Sequence, residues 1–170
     1  MNALISPAEY LAQEIDSPIK HEYVGGVVYA MSGARNRHNR IATSVTLALG
    51  LRLRGGRCEP FNSDTKVRLR YPTHTRFYYP DAMVVCQPNP EGDVFQDQPC
   101  LVVEVLSRRT RRLDLTEKRE AYLSVPSLAV YLMVEQVYEG LEAVIPLPEI
   151  EVELPLAELY ERVEFAPEPE

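Results

Sequence analysis

The chain has 170 residues, of which 45% are hydrophobic and 25% are charged, and its formal net charge is -7. This composition excludes a disordered chain, a fibrous repeat and a disulfide-stapled miniprotein, and it favours one folded domain with a sizeable core. No run approaches the roughly 20 apolar residues of a membrane helix, and the first residues lead straight into a polar helix, so we expect a cytoplasmic protein without a membrane partner.

The first third of the chain predicts a helix, a hairpin and a second helix. Ser6-Pro7-Ala8-Glu9 has the pattern of a capping box with proline at the first helical position, which predicts a helix over 7–14. Two apolar runs, 19–24 and 27–31, flank Gly25-Gly26 and predict a tight hairpin. Helical spacing of apolar residues then predicts a helix over 36–54, ended by Gly55-Gly56.

The rest of the chain alternates strands with one further long helix. Asp114-Leu115-Thr116-Glu117 has the pattern of a second capping box and predicts a helix over 114–124. Strands are predicted over 57–61, 66–71, 77–86, 101–106 and 128–134, followed by an outer strand and a short helix over 155–162. We therefore expect a single α/β domain over 1–165, with a mixed central β-sheet flanked by helices, and a frayed acidic C-terminus over 166–170.

Charge is distributed unevenly along the sequence. Residues 1–134 contain 17 Lys and Arg against 14 Asp and Glu, whereas residues 135–170 contain one Arg and eleven Glu. The planar guanidinium of arginine can donate to two phosphate oxygens at once, so the arginine clusters are candidate contacts to a nucleic-acid backbone; the alternative is a solvated surface. These clusters are Arg35, Arg37 and Arg40; Arg52, Arg54 and Arg57; and Arg108, Arg109, Arg111 and Arg112.

Three cysteines, Cys58, Cys86 and Cys100, form no C-x-x-C pair. Two of them lie in apolar strand-like runs, where a small buried side chain is the usual interpretation. We expect reduced thiols and no zinc site.

Two acidic residues fall where the pattern predicts burial. Glu104 interrupts an apolar strand, and Asp81 follows Pro80 at the edge of another. A buried carboxylate is costly unless it is paired or binds a cation. If the two strands are neighbours, both carboxylates reach one edge of the sheet and can share a divalent ion.

A basic partner for these acids is predicted on the following helix. Leu115, Lys118 and Tyr122 are spaced i, i+3, i+7 and so share the face that should pack inward. Two carboxylates and a lysine are what metal-assisted phosphodiester cleavage needs, and hard oxygen ligands favour Mg²⁺, with Mn²⁺ as a substitute. The alternative is that the acids are structural and Lys118 is only their ion-pair partner.

Several motifs together resemble the restriction-endonuclease-like PD-(D/E)XK superfamily, and more narrowly a bacterial branch of uncharacterised restriction-endonuclease-like proteins. The likeness runs from His21-Glu22-Tyr23 through His38 and Ser63-Asp64 to Leu156-Ala157-Glu158-Leu159-Tyr160. Its central motifs are Tyr79-Pro80-Asp81, Val102-Val103-Glu104-Val105-Leu106-Ser107, and Thr110 with Asp114, Lys118 and Tyr122.

The resemblance implies roles for individual residues. Asp81 is similar to the metal-binding aspartate of the superfamily and Glu104 to the acid of its second motif. Leu106 stands where the motif lysine is normally found, so Lys118 would take over that role as the third catalytic residue. Glu22 resembles an additional metal ligand or water-positioning acid, although a solvated position in the hairpin is the alternative.

The leading hypothesis is therefore a Mg²⁺-dependent endonuclease that hydrolyses DNA phosphodiester bonds, with double-stranded DNA as the expected substrate and a homodimer as the expected assembly. The competing hypothesis is a catalytically inactive module that binds nucleic acid or a protein partner and retains the nuclease fold. His38, on the second predicted helix, is expected to be a capping or packing residue, and the alternative is a position near the site. The arginines of 108–112 are expected to lie beside the site.

Overall fold

The computed structural model describes residues 4–136 and 140–164. Its helices are α1 (Pro7–Ile15), α2 (Asn36–Arg52), α3 (Arg111–Leu113), α4 (Arg119–Leu123) and α5 (Leu156–Leu159). Its strands are β1 (His21–Val24), β2 (Val27–Ala30), β3 (Glu59–Asn62), β4 (Lys66–Arg70), β5 (Thr75–Tyr78), β6 (Ala82–Val85), β7 (Phe95–Gln96), β8 (Pro99–Val105), β9 (Val130–Val134), β10 (Val144–Leu147) and β11 (Val152–Pro155). A π-helical turn, Asp114–Lys118, joins α3 to α4, and a 3₁₀ turn, Pro148–Ile150, joins β10 to β11.

The predicted start of α1 is confirmed in detail. The Ser6 hydroxyl accepts a hydrogen bond from the Glu9 amide, and the Glu9 carboxylate accepts one from the Ser6 amide. These two bonds satisfy amides that a helix start leaves unpaired, and a cap of this kind contributes about 1 kcal/mol. The hairpin prediction is confirmed as well, because Gly25 and Gly26 both adopt positive φ, as a turn with left-handed central residues requires.

The predicted single strand over 77–86 is two strands in different sheets. β5 belongs to a five-stranded sheet of order β2-β1-β5-β4-β7, whereas β6 belongs to a four-stranded sheet of order β3-β6-β8-β9. The chain leaves the first sheet at Tyr79, Pro80 and Asp81, since proline has no amide hydrogen for a ladder bond. The α/β fold with mixed sheets flanked by helices is as expected, but its strands form two main sheets, with β10 and β11 as a separate pair.

The four-stranded sheet has a hydrophobic cluster on each face. Towards one face, Val84, Leu101 and Val103 pack against α2, β11 and α5. Towards the other, Met83, Val85 and Val102 pack against α4 and the five-stranded sheet. β8 lies between these clusters, which explains its nearly continuous apolar sequence.

The cysteine prediction is wrong for two of the three residues. Cys58 and Cys86 form a disulfide that links the start of β3 to the end of β6, and Cys100 is the free thiol of the described chain. The two bonded residues are far apart in the sequence, and they become neighbours only through the antiparallel pairing of β3 with β6.

The remaining predictions about chain class concern the termini and membrane segments. The frayed segment predicted over 166–170 lies outside the described residues. Within 4–136 and 140–164, no helix is long and apolar enough to span a bilayer.

Candidate active site

The ammonium of Lys118 lies between three carboxylates. Its Nζ is 2.8 Å from Glu22 Oε1, 3.4 Å from Glu104 Oε1 and 3.7 Å from Asp114 Oδ1. All four residues are buried, and the most exposed of them, Glu22, shows 8% of its surface. The predicted pairing of Glu104 with Lys118 is therefore confirmed, and Glu22 is a buried member of the cluster rather than a solvated hairpin residue.

The π-helical turn sets which side chains face these acids. Asp114 and Lys118 are buried at its two ends, whereas Leu115 is 38% exposed. The predicted inward face was thus correct for Lys118 and Tyr122 and wrong for Leu115, because α-helical spacing does not hold through a turn with i→i+5 hydrogen bonding. The predicted helix start at Asp114 is also wrong, because the helical segment begins at Arg111 and places Asp114 inside it.

The hydroxyl of Tyr122 forms a hydrogen bond with the carboxylate of Glu104. It donates to Glu104 Oε1 at 3.3 Å, on the oxygen that Lys118 also approaches. Tyr122 is fully buried one turn after Lys118, so α4 and the end of the π-helical turn before it bring the two side chains to the same carboxylate. The inward face of this helix therefore holds Glu104 through one charge and one hydroxyl.

Charge is unbalanced inside this cluster. Burial opposes a charge on Lys118, but Glu104, Glu22 and Asp114 outweigh it and raise the pKa of the ammonium. Burial raises the pKa of Glu104 well above its ordinary value of 4.5, and the neighbouring acids raise it further despite Lys118. Burial likewise raises the pKa of Asp114. Burial is the largest cause of both raised carboxyl pKa values, and the nearby ammonium of Lys118 does not offset it.

Asp81 is fixed at the same edge of the sheet by the neighbouring strand. β6 and β8 are antiparallel neighbours with Ala82 opposite Val103, which brings Asp81 to the level of Glu104. The amide of Val105 donates to Asp81 Oδ2 at 2.7 Å. The prediction that both acids meet at one edge of the sheet is confirmed.

His38 belongs to the site, contrary to the expectation of a capping or packing residue. Its Nε2 is 3.2 Å from Asp81 Oδ2, and α2 presents it from its first turn. Burial disfavours the charged imidazole, but the hydrogen bond and charge of Asp81 outweigh this and raise the pKa of His38. The position of His38 at the start of a helix gave no signal of this contact, because the contact depends on how α2 packs over the sheet.

Five residues of the site line one cleft of about 680 Å³: His38, Asp81, Glu104, Asp114 and Lys118. Besides the acids, its wall contains basic side chains from three segments: Lys20, Arg35, Arg108 and Arg109. The arginines of 108–112 were predicted to lie beside the site, and this is confirmed for Arg108 and Arg109. Arg111 instead pairs with Glu135, and Arg52 pairs with Glu158, so two glutamates of the acidic segment neutralise arginines of the same chain.

The acidic side chains of the site offer carboxylate oxygens, the donor atoms that hard divalent cations prefer. Glu22 Oε1 and Asp114 Oδ1 are buried oxygens without a hydrogen bond, although Lys118 lies nearby. Across the described parts of the chain, no three His, Cys, Asp or Glu side chains already stand close enough to hold a metal ion. Mg²⁺ usually takes only one or two carboxylates and keeps several waters, so the paired acids Asp81 and Glu104 fit its chemistry without such a cage.

Comparisons with known proteins show the family of the chain. The model of the Uma2 family, described as "Putative restriction endonuclease", matches residues 7–168. Two uncharacterised proteins of Synechocystis sp. strain PCC 6803 are 39% identical over 132 residues and 31% identical over 136 residues. These alignments cover 76% and 78% of this chain, and 68% and 76% of the relatives.

A solved structure shares the fold. It is a crystal structure from Anabaena variabilis, described as "a putative nuclease belonging to DUF820", and it matches with a TM-score of 0.67 over 92% of this chain and 97% of that one. At 15% identity, this likeness concerns the fold alone. The chain therefore belongs to the Uma2 family, with a fold of the restriction-endonuclease-like superfamily.

Proposed function

We propose that the chain is a Mg²⁺-dependent endonuclease that hydrolyses DNA phosphodiester bonds, with Mn²⁺ as a substitute cation. The observation that carries the proposal is the buried ammonium of Lys118, held against Glu22 and Glu104 in the cleft that also contains Asp81. Membership of the Uma2 family supports a nuclease-like activity. A buried cluster with perturbed pKa values in a cleft is a candidate functional site on physical grounds.

In this proposal Asp81 and Glu104 hold the cation. A bound Mg²⁺ would polarise the phosphate and lower the pKa of a water molecule, which supplies the nucleophile for hydrolysis. The amide of Val105 fixes one oxygen of Asp81, while Tyr122 and Lys118 fix one oxygen of Glu104. Both carboxylates are thus oriented before any ligand arrives, which reduces the cost of binding.

Lys118 is proposed as the catalytic lysine in place of the motif lysine that Leu106 replaces. Its ammonium stays charged inside the protein because three carboxylates surround it. Such a charge stabilises the negative charge that develops on the phosphate or orients the attacking water. Glu22, which contacts the ammonium most closely, is proposed to position Lys118 and to be the additional metal ligand or water-positioning acid.

The basic wall of the cleft gives the proposal its substrate class. Arg108 and Arg109 lie on the loop just before the helical segment that carries Lys118, and Lys20, which also lines the cleft, contacts Ser63 and Asp64. Guanidinium groups bind phosphate oxygens in pairs, so this wall suits a polyanionic backbone. We propose double-stranded DNA as the substrate and a homodimer as the acting form.

The competing proposal is a module that binds nucleic acid or a protein partner and performs no chemistry. It is favoured by one observation: within the described residues the acids are drawn toward an ammonium rather than assembled into a three-ligand metal site. In that case the cluster is structural, and Lys118 is only a counter-ion.

Cleavage of supercoiled plasmid DNA separates the two proposals. Wild type is incubated with Mg²⁺, with Mn²⁺ or with a chelator, alongside Asp81→Asn, Glu104→Gln and the control Asp97→Asn, which replaces a carboxylate outside the cleft. The nuclease proposal predicts metal-dependent nicking that both cleft variants lose by about 100-fold or more, while the control retains it. Folded variants that cleave like wild type would refute it, and wild type that binds DNA without cleaving would support the inactive module.

A further inference from the structure

The three cysteines lie side by side across three neighbouring strands. Cys58 precedes β3, Cys86 follows β6 and Cys100 lies in β8, and the sheet order places β6 between the other two strands. Cys86 forms a disulfide with Cys58, and its Sγ is also 3.5 Å from the Sγ of Cys100. The central sulfur therefore has a bonded neighbour on one side and a thiol on the other.

A β-bulge brings the third sulfur to this place. The register between β6 and β8 shifts between Val84 and Val85, which face Leu101 and Pro99, so Cys100 is the extra residue of β8. Strict alternation would point Cys100 to the face of Val102 and Glu104. The bulge turns it instead to the opposite cluster, where Cys58 and Cys86 also lie.

We propose that these residues form a thiol–disulfide exchange centre in which Cys86 bonds alternately to Cys58 and to Cys100. The thiolate of Cys100 attacks Cys86 Sγ, the Cys86–Cys58 bond breaks, and Cys58 leaves as a thiolate that takes up the proton released by Cys100. One disulfide and one thiol are present before and after the step, so no external oxidant or reductant is consumed. The reverse reaction restores the starting bond.

The surroundings of Cys100 determine its resting form. Its Sγ lies 3.2 Å from the carbonyl oxygen of Val84 and donates to it. Burial raises the pKa of this thiol; its own amide, that of Leu101 and the charge of Arg57 oppose the shift, and Glu149 adds to it. Cys100 is therefore mostly a thiol at neutral pH, and exchange accelerates with pH because only the thiolate attacks.

The exchange moves a covalent link within the sheet that carries the candidate site. In one form the disulfide joins β3 to β6, and in the other it joins β6 to β8. β6 follows Asp81 and β8 contains Glu104, so the second form links the two strands that hold the proposed metal ligands.

Thiol mapping tests the proposal without reference to nuclease activity. Oxidised wild type is incubated between pH 6.5 and 8.5, quenched in acid to stop exchange, alkylated in acidic denaturant and analysed by peptide mass spectrometry. We expect free thiol at both Cys58 and Cys100, approached at a rate that rises about 10-fold per pH unit below the thiol pKa and does not depend on protein concentration. Free thiol at Cys100 alone, at every pH and time, would overturn the proposal.

Two variants control the assignment. Cys100→Ser should retain the Cys58–Cys86 bond and show no free thiol at either residue. Cys58→Ser, oxidised with glutathione disulfide, should form the Cys86–Cys100 bond within one chain. If folded Cys58→Ser gives only glutathione adducts or bonds between chains, Cys100 cannot replace Cys58 and the centre does not exist. If that variant does not fold, the wild-type mapping still decides the question.

Discussion

Asp97 and Glu104 are both carboxylates beside a basic side chain, yet their surroundings shift the pKa in opposite directions. At Asp97, burial favours the neutral acid, but Arg68 donates two hydrogen bonds of 2.7 and 2.6 Å and Asn89 donates another, so the pKa is lowered. At Glu104, burial is complete and the neighbouring acids add to it, so the pKa is raised in spite of Lys118.

Burial is the first difference between the two acids, and the number of acids that share each cation is the second. Arg68 faces one carboxylate with two donors, whereas the single ammonium of Lys118 faces Glu22, Glu104 and Asp114. The charge of Asp97 is compensated by Arg68, and this ion pair fixes a loop to a sheet. The acids around Lys118 are under-compensated, because three carboxylates share one ammonium, and such a cluster is able to accept more positive charge.

Removing the cation of the cluster should have the largest effect. Lys118→Met leaves three buried carboxylates without a counter-ion, and we expect a loss of about 3–5 kcal/mol in the free energy of unfolding at neutral pH. Urea denaturation followed by circular dichroism measures it. The loss should shrink in acid, because protonation of the acids removes their repulsion.

A matched lysine serves as the control for this variant. Lys20 also pairs with an acid, Asp64, but both side chains are exposed. Lys20→Met should therefore cost less than about 1 kcal/mol. Equal losses for the two variants would contradict the special position of Lys118.

Breaking the pair of Arg68 with Asp97 should have a smaller effect, which also disappears in acid. Asp97→Asn removes the charge-assisted bonds from Arg68, and we expect a loss of about 1–2 kcal/mol at pH 7. Because the folded-state pKa of Asp97 is lowered, this stability exists above its ordinary value of 3.8 and disappears as pH falls through the folded-state pKa. Unfolding curves of wild type and Asp97→Asn should therefore converge in acid, and a gap that persists there would contradict the prediction.

Glu104→Gln should change the free energy of unfolding least at acidic pH and should raise it, relative to wild type, at higher pH. The pKa of Glu104 is raised in the folded state, so the folded state binds more protons and wild type loses stability as pH rises above about 4.5. Glu104→Gln removes this contribution, and its unfolding free energy should fall less between pH 4.5 and 7. A steeper fall in Glu104→Gln than in wild type would show that Lys118 fully compensates the acid.

Sequence patterns predicted the parts of the fold that depend on neighbouring residues. The capping box at Ser6 and Glu9, the Gly25-Gly26 turn and the apolar face of α2 all depend on contacts within a few positions. Asp81 and Glu104 were also predictable, because a charged residue in an apolar strand has few physical explanations.

Other features required the three-dimensional arrangement. Because of the π-helical turn, Asp114 rather than Leu115 is the buried residue one turn before Lys118. No local sequence pattern predicts such a turn. His38 reaches Asp81 only because the first turn of α2 packs beside the residue that precedes β6, and Cys58 reaches Cys86 only through strand pairing. Each missed contact joins residues that are distant in sequence or depends on an irregular turn.

Calorimetric titration of Mn²⁺ tests the central claim most directly, because it requires no assumption about the substrate. Wild type and the control Asp97→Asn should show one discrete site above the diffuse binding of the surface glutamates. Folded Asp81→Asn and Glu104→Gln proteins should lose that site, since each removes one of the two proposed ligands. If all four proteins bind Mn²⁺ alike, Asp81 and Glu104 do not share a cation and the proposed metal site is wrong.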